Sequence, residues 1–103
     1  MEKSRLEVLQ QFLTRNPKDA FARYGVAMEY VRLGEAEKAI EQFRELWTLN
    51  PDYTAAYFQA GKLLAKTGQR ELARQVLSEG VQSAARTGNL HAQSEIEAEL
   101  AQL

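Results

Sequence analysis

The chain has 103 residues, 45% hydrophobic and 26% charged, with 13 Lys and Arg against 14 Asp and Glu for a net charge of −1. That length fits one domain, and the near-neutral balance supplies no positive field to hold a phosphate backbone, so nucleic-acid binding is disfavoured. Without cysteine there are no disulfides, no thiol catalysis and no thiolate metal sites, and one histidine cannot furnish a multi-histidine site. Charges run through the first 20 residues and no apolar run reaches bilayer length. Neither a secretory signal nor a membrane span is therefore expected, and the expected location is cytoplasmic.

Self-similarity organises the chain. Asn16-Pro17 recurs as Asn50-Pro51, a shift of 34 residues, and the same shift pairs Leu6 with Ile40, Leu9 with Phe43, Phe12 with Leu46 and Leu13 with Trp47. Further along it pairs Tyr24 with Phe58, Gly34 with Gly68, Ala39 with Ala73, Phe43 with Leu77 and Trp47 with Val81. A fixed period of this size is the mark of a helical repeat array.

In chain order, residues 3–15 match the second helix of a unit, so the array starts half a repeat in. Residues 20–33 carry Val26, Ala27, Tyr30, Val31 and Leu33 at helical spacing with no strand-like alternation, and Gly34 suits the left-handed turn that ends such a helix. Residues 36–49 place Ala39, Ile40, Phe43, Leu46 and Trp47 on one face, and stop where Asn50 precedes proline and avoids helical geometry. The next unit repeats the plan with a helix over 53–67, a turn at Gly68, a helix over 70–86 and a stop at Gly88-Asn89. Gly80 interrupts that second helix at a cost of about 1 kcal/mol relative to Ala, which either a close contact with the last helix or a local bend explains. Residues 89–102 form a last helix on which Leu90, Ile96, Leu100 and Leu103 make an apolar stripe. Where the units have Ala27 and Gly61 this helix has Glu95, a carboxylate at a place of close approach. With Glu97 and Glu99 it reads as a solvating cap.

These residues resemble the tetratricopeptide repeat. Ala27, Tyr30, Gly34, Ala39, Phe43 and Pro51 stand at that family's 34-residue pattern positions, as do Tyr57, Gly61, Leu64, Gly68 and Ala73. The departures are Arg23 for the leading aromatic, Leu77 for the later aromatic and Ala85 for the proline. The resemblance, to a small single-domain array of bacterial type, implies an all-α superhelix of antiparallel helix hairpins with about six helices. The single domain 1–103 then divides into a half-repeat helix at 3–17, repeats at 20–53 and 54–87, and a capping helix at 89–102. It further implies a protein-interaction module or adaptor that takes a peptide or helical segment of a partner in a concave groove lined by the first helix of each unit.

On that placement the groove residues are Phe21, Tyr24, Met28, Val31 and Arg32 from the first unit, and Phe58, Gln59, Lys62 and Lys66 from the second, with Ala55 and Ala65 between them. The spacing agrees, since 21, 24, 28 and 31 fall on one helical stripe, as do 55, 58, 62 and 65. A second reading makes both apolar stripes of each helix core. Lys62, Lys66 and Arg32 form a basic rim that suits an acidic or carboxylate-bearing partner segment, though lysines at these places also serve solubility alone. The places of the family's chaperone carboxylate clamp hold Tyr24, Met28, Gln59, Asn89 and Gln93, which lack its cations, so that function is disfavoured.

Trp47 has Leu13 and Val81 as repeat mates and reads as core. His91 reads as a surface or capping residue, and Glu37, Glu41 and Glu45 as a solvated face. No nucleophile motif, phosphate loop or acid–base pair stands out, so neither catalysis nor a cofactor is expected. The alternative function is a self-associating scaffold that assembles through its end helices or groove, as a homo-oligomer.

Overall fold

The computed structural model describes residues 2–103. Six helices follow one another: α1 (Arg5–Arg15), α2 (Ala20–Arg32), α3 (Ala36–Leu49), α4 (Thr54–Lys66), α5 (Arg70–Arg86) and α6 (Leu90–Ala101). The described residues contain no strand. Each helix packs on the next in the chain, and α6 also reaches α4.

Local chemistry sets most of the boundaries. Ser4, Asp19 and Asn89 cap α1, α2 and α6 by accepting from the backbone N–H three residues on. Gly34 and Gly68 adopt φ of 76° and 86°. The following residues, Glu35 and Gln69, return their N–H to the carbonyls of Tyr30 and Leu64 at 2.9 Å, which closes α2 and α4 by the left-handed motif that favours glycine. Asn16 and Asn50 end α1 and α3 in non-helical geometry ahead of proline.

Packing works through small residues. Ala27, Ala39, Ala56, Ala60 and Ala73 are wholly buried, and Phe43, Leu46, Leu64 and Leu77 fill the space around them. The approach is closest at Gly61, where an added Cβ would sit 2.3 Å from Cδ2 of Leu77 and 2.5 Å from its Cγ. No real contact tolerates that distance, so Leu77 sits where it does because Gly61 has no side chain. Gly80 answers to a second approach: a Cβ there would lie 2.9 Å from Cβ of Tyr57 and 3.2 Å from Cδ1 of Ile96. The tightest contact is therefore with α4, and the expected close contact with α6 is the second. Trp47 stacks on Tyr57 with ring centroids 4.9 Å apart and an 8° interplanar angle, joining α3 to α4 within the core.

The two end helices differ from the middle four. No residue of α1 is buried. It is held by half-buried Leu6, Leu9 and Leu13, by Gln10 donating to the Tyr30 hydroxyl at 2.9 Å, and by Arg5 pairing with buried Glu29 at 3.0 Å. On α6 the apolar stripe is shorter than its sequence suggests. Ile96 is buried and Leu100 and Leu103 half-buried, but Leu90 is 77% exposed. Six residues separate Leu90 from Ile96, which turns it about 120° around the helix axis from the stripe.

Substituting Ala39→Leu or Ala73→Leu forces a larger side chain into the hairpin contact, and each change is expected to lower stability by about 1–3 kcal/mol. The control Ala98→Leu, on the exposed side of α6, is expected to stay within about 0.5 kcal/mol of the parent. Urea melts of the three variants measure this. Equal stability of the Ala39 and Ala98 variants would contradict the packing described.

Candidate functional site

The residues named for the groove stand on α2 and α4, which pack on the helices before and after them. Tyr24 leans from α2 onto two aromatic rings, Phe43 of α3 at 6.0 Å and Tyr53 at 5.5 Å between centroids. On α4 the Lys62 ammonium stands 4.3 Å from the centroid of the Phe58 ring, a cation–π contact worth about 0.5–1 kcal/mol where solvent reaches it. Lys62 and Lys66 enter no ion pair among the described residues.

The nine groove residues named from the sequence thus divide. Tyr24, Phe58, Gln59 and Lys62 are half-buried, with Phe58 and Lys62 in contact along α4. Tyr24, Met28 and Val31, with Ala65, are half-buried and packed against the core. Phe21, in the first turn of α2, is 80% exposed. Lys66 is exposed. Arg32 is exposed but engaged: its Nε donates to Glu29 at 2.8 Å. Since Glu29 also pairs with Arg5 of α1, Arg32 is drawn toward α1.

Two participants escaped the sequence reading. Tyr53, where the sequence reading began the helix, instead precedes α4 and was not placed on the stripe, although an aromatic just after the Asn50-Pro51-Asp52 turn was a visible sign. Glu29 is buried between two arginines; its three-residue spacing from Arg32 was the available signal.

The titrating groups of this region are phenols. Burial raises Tyr24 above its ordinary value, with Gln59 opposing. Burial raises Tyr53 as well, helped by the negative charges of Tyr24 and Asp19. It also raises Tyr57, helped by Glu79 and opposed mainly by Arg86. No group of three or more acidic, histidine or cysteine side chains that could hold a metal occurs among the described residues. His91 is exposed and lies 3.3 Å from Glu95 on α6. Among the described residues no helix is long and apolar enough to cross a membrane.

Because folding favours the neutral phenols, their contribution to stability is complete below the unfolded pKa of about 10. It is lost as pH rises through the higher folded values. An alkaline absorbance titration should therefore give a higher midpoint for the native than for the denatured protein, and coincident curves would contradict the packing of these three rings.

A family model described as tetratricopeptide repeat matches residues 30–93, more than half of the chain. A TPR repeat-containing protein of Pseudomonas aeruginosa is 30% identical over 91 residues, which cover 88% of this chain and 87% of that protein. The solution structure of a tetratricopeptide repeat domain protein from Salinibacter ruber superposes with a TM-score of 0.79 at 29% identity, covering 84% of this chain and 87% of that one. A Bordetella parapertussis protein gives a TM-score of 0.84 at 23% identity over 98% of this chain and 88% of its own, a likeness of fold alone. Helix pairs, small-residue contacts and relatives agree: the chain belongs to the tetratricopeptide repeat family.

Proposed function

We propose that the chain is a protein-interaction module that holds a peptide or helical segment of a partner against the inner faces of α2 and α4. Tyr24, Phe58 and Gln59 supply the contact surface, Met28 and Val31 its floor, and Phe21 and Arg32 its edges. Lys62 and Lys66 orient a partner segment that carries carboxylates. The family is one of interaction modules, and the observation that carries the finer reading is the pairing of Phe58 with Lys62. An aromatic ring with an ammonium over it, and a second lysine one helical turn on, form an apolar surface with unneutralised positive charge. An acidic segment with an apolar residue complements both parts.

A second reading, self-association through the end helices, is favoured by Val8 and Phe12 of α1, which are 52% and 48% exposed. The repeat mate of Phe12, Leu46, is buried at 1%. Leu46 has the first helix of its own unit beside it, whereas among the described residues no helix precedes α1.

Affinity capture from native extract with the parent and with a Lys62→Glu, Lys66→Glu variant tests the proposal. Both lysines lie outside the buried core, so the variant should keep its helicity. Reversing two charges is expected to weaken a complementary partner on the order of tenfold or more at low salt. A partner retained equally by the variant would contradict the inner-face reading. Recovery of the bait alone would favour the second one.

A further inference from the structure

The α2–α3 and α4–α5 hairpins are the same helix pair set 34 residues apart, so each place in one has a counterpart in the other. Their ends beside the Asn-Pro turns differ sharply. In the second hairpin that end is plugged. Thr54 Oγ1 and Ser83 Oγ lie 2.7 Å apart, both buried. The Tyr57 hydroxyl donates to the Pro51 carbonyl at 2.9 Å. Arg86 closes the rim, donating from Nε to Asp52 at 3.0 Å and from Nη2 to the Pro51 carbonyl at 3.1 Å.

In the first hairpin every part of this plug is replaced. Ala20 stands for Thr54, Leu49 for Ser83 and Arg23 for Tyr57, while Lys18 stands for Asp52 and Asp52 for Arg86. The hydroxyl pair, the phenol and the closing ion pair are all absent. In their place is a cavity of about 320 Å³ whose lining includes Lys18, Ala20, Arg23, Leu46 and Leu49. Its size lies at the lower end of small-ligand pockets.

The lining specifies a ligand. Ala20, Leu46 and Leu49 give a hydrocarbon floor. Lys18 and Arg23 bring two positive charges. The one carboxylate in the lining, Asp19, is committed to capping α2, where it accepts from the Ala22 N–H at 2.8 Å. Arg23 is held in place by Nη1 donating to Gln42 at 3.0 Å and Nη2 to the Pro17 carbonyl at 3.1 Å. Its Nε–H makes no hydrogen bond and Lys18 no ion pair among the described residues.

We propose that this end of the first hairpin is a binding site for a carboxylate carried on a short branched hydrocarbon. The hydrocarbon lies on Leu46 and Leu49, and the carboxylate meets Lys18 and the free Nε–H of Arg23. Either a small free acid or the apolar C-terminal residue of a chain has this chemistry. The site uses none of Tyr24, Phe58 or Lys62 and stands or falls apart from the inner-face reading.

The test is an NMR titration of the isotope-labelled chain with isocaproate, with its neutral amide, and with a short acetylated peptide ending in free leucine. Isocaproate should bind with a dissociation constant of roughly millimolar order, as its few atoms allow, and shift resonances of Ala20, Arg23, Leu46 and Leu49. The neutral amide should bind at least about tenfold more weakly. Binding of the peptide as well would extend the site to chain termini; its failure beside isocaproate would assign it to free acids. The variant Ala20→Thr, Arg23→Tyr, Leu49→Ser rebuilds the plug of the second hairpin and should abolish the shifts. Should that variant not fold, Lys18→Gln, at an exposed side chain, decides by a several-fold loss of affinity. No saturable shifts with isocaproate, equal binding of acid and amide, or undiminished affinity in Lys18→Gln would each overturn the proposal.

Discussion

The architecture depends on the closeness with which paired helices meet. At Gly61 the backbone of α4 receives Leu77 of α5 at a distance that excludes even a methyl group. The wholly buried Ala27, Ala39 and Ala73 keep the paired helices similarly unobstructed by bulk. Once hairpins close in this way, larger side chains are directed to the spaces between one pair and the next, where Phe43, Leu46 and Trp47 meet Tyr24 and Tyr57. A lone hairpin of this kind cannot bury its apolar face, so stacking and folding are one event. α2 and α4 each pack on the helices before and after them, so Tyr24, Met28 and Val31 lie against the core while Phe58 and Lys62 are half-buried.

The ends show what happens when neighbours run out. α1 buries no residue and relies on three half-buried leucines, a hydrogen bond and an ion pair whose arginine lies largely in solvent. Such pairs contribute little where solvent screens them. α6 is tied down at Ile96 against Gly80 and at its far end, where Arg74 donates to the Leu103 carbonyl at 3.2 Å. It also carries Glu95 and Glu97, both exposed. The second hairpin, plugged by Thr54, Ser83 and Tyr57, is the better filled of the two. The first, with Arg23 in the place of an aromatic, keeps an opening.

Much of the fold was legible because the period is legible. The 34-residue shift placed all six helices, and the Asn-Pro and glycine punctuation set their ends to within about two residues. Trp47 was read as core through its repeat mates Leu13 and Val81. Leu90 was misplaced because hydrophobicity was counted without its angle around the helix. The inner face was only partly legible: a stripe at helical spacing is the same in sequence whether it faces a groove or a core. Met28 and Val31 pack inward while Phe58 and Lys62 keep contact with solvent. Tyr53 and Glu29 were hidden for a different reason. Their roles arise from partners on other elements, Tyr24 and Arg5, which no local pattern connects to them.

Residue-by-residue native-state hydrogen exchange tests the central claim, that small-residue helix contacts in the middle of the stack carry the stability. The slowest amides should lie around Ala39–Leu46, Ala56–Leu64 and Ala73–Leu77, exchanging only by global unfolding, with α1 opening far sooner and independently. Protection of α1 equal to that of α4, or early exchange around Gly61 and Leu77, would contradict it.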